Sequence, residues 1–132
     1  MQTERRHNGI VTRLQLDRIL DSSAPTPYFQ ATFTIENATS SPIPLTFSSS
    51  QQYDFLLQNN LGQELWKWSD GRFFAMMIME KELGHEPWVY QERIPFVDRP
   101  GPPVPEGRYT LKARLMSRPA VESQLSFQLQ AP

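Results

Sequence analysis

Cysteine does not occur in the 132 residues of the chain, and histidine occurs only twice. Without cysteine there is no disulfide scaffold, no thiol nucleophile and no thiolate metal site. An excess of one charge is missing as well, because 13 lysines and arginines stand against 14 aspartates and glutamates, for a formal net charge of −1. A chain with balanced charges has no broad field to attract a polyanion, so we expect no nucleic acid partner.

Long hydrophobic runs are also absent. The first apolar stretch, GIVTRLQLDRIL, is interrupted by Arg13, Asp17 and Arg18. The sequence therefore predicts neither a signal-peptide segment nor a membrane span. Together with the lack of cysteine, this pattern favours a cytoplasmic protein that does not contact a membrane.

Length and hydrophobic content predict a single domain. A chain of this size with 39% hydrophobic residues can bury one ordinary core. Arg5 and Arg6 lie in a polar stretch that we interpret as a flexible N-terminal tail over residues 1–8. The domain is then expected to occupy residues 9–132.

Side chains suited to catalysis or metal binding are scarce. His7 lies in the predicted tail, and the serine run at residues 48–50 lacks the Gly-x-Ser-x-Gly elbow of a nucleophile. His85 has glutamates nearby, but no second cluster of metal-ligand residue types accompanies it. We therefore expect no enzyme activity, no cofactor and no metal site.

Alternation of apolar and polar residues is the dominant pattern of the chain. Apolar side chains recur at every second position, with Thr12 and a charged step before Ile94 as interruptions, in the stretches 10–16, 29–35, 43–47, 53–57, 88–94, 109–115 and 125–129. This alternation is typical of half-buried strands. Residues 52–68 are predicted to form a β-hairpin closed by NNLGQ. Pro42 and Pro44 remove backbone donors, so the strand that follows should not be central throughout. The protein is therefore predicted to be all-β.

The stretch RFFAMMIMEKELG, after a predicted turn at residues 69–71, does not alternate. We interpret it as a strand that runs into a short helical turn ending at Gly84. Roughly seven to nine short antiparallel strands separated by turn signals are typical of a two-sheet sandwich. The sequence PEGRYT, with Gly107 two residues before Tyr109, resembles the start of a tyrosine corner and favours an immunoglobulin-like β-sandwich.

One family resemblance covers about residues 10–130. The run PLTFSSSQQYDFLLQNNLGQELWKWSDGRFFAMM and the closing PVPEGRYTLKARL resemble the BsuPI family, the intracellular proteinase inhibitor domain of bacilli and their relatives. The matching residues are Leu45, Phe47, Ser48, Gln52, Tyr53, Phe55, Gly62, Trp66, Trp68, Ser69, Phe73, Pro105, Gly107, Tyr109 and Leu111. Where the family often continues Phe-Thr-Gln-Ala, this chain has FFAM at residues 73–76.

The resemblance implies an immunoglobulin-like β-sandwich that regulates an intracellular serine protease in the bacterial cytoplasm. Such a protein would be a non-catalytic inhibitor that contacts its protease through surface loops. The prolines at residues 42 and 44 disfavour sheet-to-sheet association, so we expect a monomer.

Several predicted loops offer residues that could contact a partner. Arg118 could enter a specificity pocket as a substrate mimic, with Pro119 protecting the bond that follows it. The proline-rich loop at residues 99–107 carries Pro-x-x-Pro spacing that favours an extended conformation recognised by a groove. The partner-binding candidates are Arg118, Pro119, Pro102, Pro103, Asp70 and Arg72.

The stretch LWKWSDGRFF allows a second interpretation. Trp66 and Trp68 share one face of a predicted strand, so with Phe73 they could form a stacking platform for a carbohydrate or another small ligand. They could equally belong to the hydrophobic core, because a domain of this size needs its large aromatic side chains there. The alternative function is therefore a ligand-binding β-sandwich module.

Overall fold

The structure is a computed structural model of the chain and describes residues 1–19, 28–94 and 106–129. Within these ranges the chain forms eleven strands and no helix. The strands are β1 (Gln2–His7), β2 (Ile10–Ile19), β3 (Tyr28–Asn37), β4 (Ile43–Phe47), β5 (Tyr53–Asn59), β6 (Glu64–Lys67), β7 (Met79–Leu83), β8 (Trp88–Ile94), β9 (Gly107–Leu115), β10 (Ser117–Arg118) and β11 (Val121–Leu129).

Three antiparallel sheets contribute to one hydrophobic core. Their strand orders are β1-β2-β3-β8, β10-β4-β7 and β11-β9-β5-β6. Buried side chains from all three sheets form a single cluster, which includes Leu14, Phe33, Phe47, Phe55, Leu83 and Leu111. The predicted all-β class is confirmed and the arrangement is consistent with a β-sandwich. The immunoglobulin-like topology stays a prediction.

Strand β3 shows why alternation located the strands. Ala31, Phe33 and Ile35 are buried, whereas the residues between them are only half-buried. Successive side chains of a strand point to opposite faces, so one buried face forces a period of two. Strand β9 repeats this pattern with every second residue buried from Tyr109 to Leu115.

The predicted hairpin over residues 52–68 is confirmed, since β5 and β6 pair antiparallel. Asn59 organises its turn, because its side-chain oxygen accepts hydrogen bonds from the backbone nitrogens of Leu61 and Gln63, each at 2.9 Å. Gly62 adopts a φ of 78°, a conformation that glycine reaches without steric cost.

Residues 1–8, interpreted above as a tail, include a strand. The strand β1 pairs with β2 along its length, and the turn between them is formed by Asn8 and Gly9, with φ values of 47° and 81°. Positive φ at both central residues is the geometry of the two-residue hairpin turn that Asn-Gly favours. Because the side chains of β1 are all polar and mostly exposed, no hydrophobic alternation marked this strand.

Strand β4 agrees with the proline argument. It lies between β7 and β10, but β10 is only two residues long and pairs with Thr46 and Phe47. The Pro44 end of β4 therefore pairs on one side only, with β7. A strand that is central over two residues satisfies the prediction that it is not central throughout.

The prediction of a strand followed by a helical turn ending at Gly84 was wrong. Residues 72–78 form neither strand nor helix, and the strand β7 comes afterwards. The charged residues that suggested a helical turn, at positions 80 to 82, lie on β7, which pairs with β4. Tertiary pairing with β4 decided the conformation of this stretch, which its own sequence left ambiguous.

Candidate functional site

Residues 73–78, which we call the apolar segment, carry the largest group of exposed hydrophobic side chains in the described part of the chain. Phe73 is 99% exposed, Met76 92% and Ile78 76%. The six residues, FFAMMI, include no charged or polar side chain. Exposed apolar side chains are ordinary when scattered, but a contiguous group marks an interaction site.

A buried carboxylate fixes the turn that leads into the apolar segment. Asp54, on β5, accepts hydrogen bonds from the backbone nitrogen of Ser69 at 3.1 Å and from its hydroxyl at 2.7 Å. The backbone nitrogen of Phe55 donates to the same carboxylate at 2.9 Å. Gly71, with a φ of 78°, then lets the backbone nitrogen of Arg72 donate to the carbonyl of Ser69. The predicted turn at residues 69–71 is confirmed.

The middle of the apolar segment is held by Ser50. The backbone nitrogen of Ser50 donates to the carbonyl of Ala75 at 2.9 Å, and the Ser50 hydroxyl accepts from the Ala75 nitrogen at 2.7 Å. The backbone nitrogen of Met77 also donates to the Ala75 carbonyl. The segment is therefore attached at its start, its middle and its end, where β7 begins.

An aromatic stack supports the same region. The rings of Tyr90 and Tyr53 stack with centroids 4.4 Å apart, and Tyr53 stacks on Trp68 at 4.5 Å. The guanidinium of Arg72 lies 4.2 Å from the Trp68 ring centroid, and its Nε donates to the Trp68 carbonyl at 2.9 Å. Stacked rings and a cation over an indole each add stability beyond the area that they bury.

Both tyrosines of the stack are half-buried. Burial raises the pKa of Tyr90 to about 12. Burial also raises the pKa of Tyr53, and the hydrogen bond that its hydroxyl donates to Glu92, together with the negative charge of that carboxylate, raises it further. The positive charge of Arg72 opposes these effects in part. Both phenols are therefore held neutral.

Stability should fall at high pH because of these two phenols. A phenol whose pKa is raised by folding contributes its full stability below the unfolded value of about 10, and this contribution disappears as pH rises through the folded value, about 12 for Tyr90. We expect the urea midpoint to decline over this window. Urea titrations at stepped pH measure it, and Tyr90→Phe, which cannot ionise, should show a shallower decline. Equal declines in both proteins would contradict the assignment for Tyr90.

The tryptophans and Phe73 do not form one open platform. Trp66 and Trp68 are both half-buried and pack against the core cluster. The ring of Trp68 is covered by Tyr53 and by Arg72, whereas Phe73 is almost completely exposed. A stacking site needs an accessible ring face. The geometry of Trp68 therefore favours the core interpretation over the ligand-binding one.

The loop candidates lie in different places. Asp70 and Arg72 are exposed in the turn that precedes the apolar segment. Arg118 and Pro119 are exposed at β10, where Arg118 pairs with Thr46 of β4. The Ser117 hydroxyl donates to the Pro119 carbonyl at 2.9 Å. A partner contact remains a prediction for each of these two places. The proline-rich loop with Pro102 and Pro103 lies outside the described residues.

The residues that hold the apolar segment in place were not predicted from the sequence. Asp54, a single acidic residue between apolar neighbours on a strand, could have been noticed, because a buried carboxylate requires hydrogen-bond donors. Met76 and Ile78 were assigned to a strand and their exposure was not expected. The absence of alternation in FFAMMI was the available signal that this segment is not a half-buried strand.

Residues 1–19, 28–94 and 106–129 contain no helix that is long and apolar enough to cross a membrane. They also contain no group of three or more histidine, aspartate or glutamate side chains arranged to hold a metal ion.

The fold and the apolar segment define a class of protein: an all-β scaffold that carries an exposed, uncharged segment. The sequence model of the BsuPI family, described as intracellular proteinase inhibitor, matches residues 19–120. The chain belongs to the BsuPI family, as the resemblance predicted. Among curated proteins, a search finds no match to the chain. The family description implies a protease as partner.

Proposed function

We propose that this protein is a non-catalytic inhibitor of an intracellular serine protease and that it acts in the cytoplasm. The observation that carries the proposal is the apolar segment, in a chain whose family is described as intracellular proteinase inhibitor. A protease cleft is lined to receive peptide side chains, so a protein that blocks it must present side chains of matching chemistry. The apolar segment presents four, at Phe73, Met76, Met77 and Ile78.

Preorganisation supports the same conclusion. A loop that becomes ordered only on binding loses affinity to the entropy of ordering. The hydrogen bonds from Ser69 to Asp54 and between Ser50 and Ala75 hold the apolar segment before any partner arrives. A segment prepared in this way can bind a protease tightly with a contact area of ordinary size.

The scaffold is proposed to be a single domain that comprises residues 9–132 together with strand β1, which pairs with β2, and to act as a monomer. Its core cluster runs from Ile10 on β2 to Phe127 on β11, which supports one folding unit. Pro44 removes a donor from β4, and β1 places charged residues at the rim of its sheet, features that oppose association through strand edges.

An inhibition titration tests the proposed function. Increasing amounts of the purified chain are added to a fixed concentration of an intracellular serine endopeptidase from the organism that produces the chain. Hydrolysis of a fluorogenic peptide is followed. We expect activity to fall until about one inhibitor is present per protease, as for a tight one-to-one complex. Cysteine proteases and metalloproteases serve as comparison. Inhibition of either of these with no effect on the serine enzymes would contradict the serine protease assignment.

A further inference from the structure

The exposure of side chains along the apolar segment is uneven. Phe73 is 99% exposed, while the adjacent Phe74 is half-buried with its ring centroid 6.0 Å from that of Trp68. On the other side of Phe73, Arg72 is attached to the same tryptophan through its guanidinium and its Nε. One fully exposed side chain therefore stands between two neighbours that both contact Trp68.

Trp68 is in turn fixed to the scaffold. Its ring stacks on Tyr53, and its backbone nitrogen donates to the carbonyl of Phe55 at 2.9 Å. The residue that follows it, Ser69, is bound to the buried Asp54 carboxylate. The backbone before Phe73 is thus connected to β5, and the backbone after it is connected to Ser50 through Ala75. The Phe73 ring therefore projects from a supported position.

From this geometry we infer that Phe73 is the side chain that enters the primary specificity pocket of the protease, and that the protease has a large apolar pocket suited to an aromatic ring. The inference rests on the proposed function and adds the class of target. The lining of the primary pocket decides which side chain a serine protease accepts, acidic for arginine and lysine, apolar for aromatic residues. A ring held in the open is suited to the apolar kind.

The alternative contact, Arg118, would select a different enzyme. A basic side chain requires an acidic pocket. Arg118 lies on β10, with its backbone paired to Thr46 of β4, so one edge of its main chain is already engaged in a sheet. Phe73 lies in a stretch without strand pairing, which leaves more of its backbone free to align in a protease cleft.

We expect the Phe73 side chain to contribute a large share of the free energy of binding to the protease. In protein interfaces a few side chains, often aromatic, account for most of the affinity when they fill a pocket. Removing the Phe73 ring should therefore raise the inhibition constant by about 30-fold or more. Leu61 offers a matched control, because it is also apolar, 81% exposed and on a turn, the one between β5 and β6. Leu61→Ala should leave the constant within about twofold.

The test compares five proteins in one inhibition assay: the unaltered chain, Phe73→Ala, Phe73→Arg, Leu61→Ala and Arg118→Ala. Each is titrated against a serine endopeptidase with an apolar primary pocket and against one with an acidic primary pocket. We expect the unaltered chain to inhibit the first enzyme, Phe73→Ala to lose this inhibition, and Phe73→Arg to move inhibition toward the second. Because Phe73 is almost fully exposed, these variants should fold, which circular dichroism verifies.

The contrary outcomes are distinct. If the unaltered chain inhibits an endopeptidase and Phe73→Ala inhibits it equally, the role of Phe73 is overturned while the proposed function stands. Loss of inhibition in Arg118→Ala alone would place the specificity residue on β10 instead. If the unaltered chain inhibits no serine endopeptidase, the proposed function itself fails. Sedimentation tests whether a second copy of the chain binds the apolar segment. A dimer that Phe73→Ala converts to a monomer without loss of inhibition would show that the segment is a dimer contact and would overturn the role of Phe73.

Discussion

Replacement of Phe55 by alanine should lower the free energy of unfolding by about 3–5 kcal/mol, the range for truncating a buried phenylalanine. Phe55 has no exposed surface, and its ring makes edge-on contacts with Phe33 of β3 at 6.4 Å and with Tyr53 at 5.7 Å. Its removal leaves a cavity between two sheets that the neighbouring rings cannot fill. Urea unfolding followed by circular dichroism measures the change.

The control for this prediction is the exposed phenylalanine of the apolar segment. Phe73→Ala removes the same ring from a position that is 99% exposed, so we expect its free energy of unfolding to change by no more than about 0.5 kcal/mol. The pair separates stability from function, since only the second variant should lose inhibition. A loss below about 1 kcal/mol for Phe55→Ala would show that its ring is not in the core.

Replacement of Asp54 by alanine is expected to destabilise the protein by about 2–4 kcal/mol and to loosen the turn at residues 69–71. The carboxylate accepts three hydrogen bonds, from the backbone nitrogens of Phe55 and Ser69 and from the Ser69 hydroxyl. Truncation leaves these donors without their acceptor in a site where Asp54 is 4% exposed, and an unsatisfied buried donor costs about 1–3 kcal/mol.

A double-mutant cycle isolates the Asp54–Ser69 interaction. Asp54→Ala, Ser69→Ala and the double variant are unfolded in urea. The sum of the losses of unfolding free energy in the two single variants should exceed the loss in the double variant. Asp70→Ala provides the control, because Asp70 lies in the same turn but is exposed; its effect should stay within about 0.5 kcal/mol. Strict additivity of the two single changes would contradict an energetic link between β5 and the turn.

The strands could be predicted largely because burial of one face imposes a pattern on the chain. The inner face of β3 is identified by the apolar residues Ala31, Phe33 and Ile35, and the outer face by the residues between them. Strand β1 gave no such signal, since its pairing depends on backbone hydrogen bonds to β2 and on an ion pair between Glu4 and Arg13 across the two strands. The Asn-Gly turn that joins them was the local clue.

The candidate site could be predicted less well, because its geometry depends on residues distant in sequence. Phe73 and Phe74 are identical neighbours, yet one is exposed and the other packs near Trp68. No periodicity distinguishes them in a stretch that is neither strand nor helix. The covering of Trp68 by Tyr53 likewise joins two positions of the chain that only the pairing of β5 with β6 brings together.

The charged strand β1 also affects which strand edge of its sheet is open to pairing with other molecules. Without it, the hydrogen-bonding edge of β2 would lie open beside a row of aliphatic side chains, and such an edge recruits strands from other molecules into aggregates. Strand β1 occupies that edge and turns outward a rim that carries Glu4, Arg5 and Arg6. Strand β1 thus covers the edge of β2, while the hydrophobic side chains of the apolar segment stay exposed.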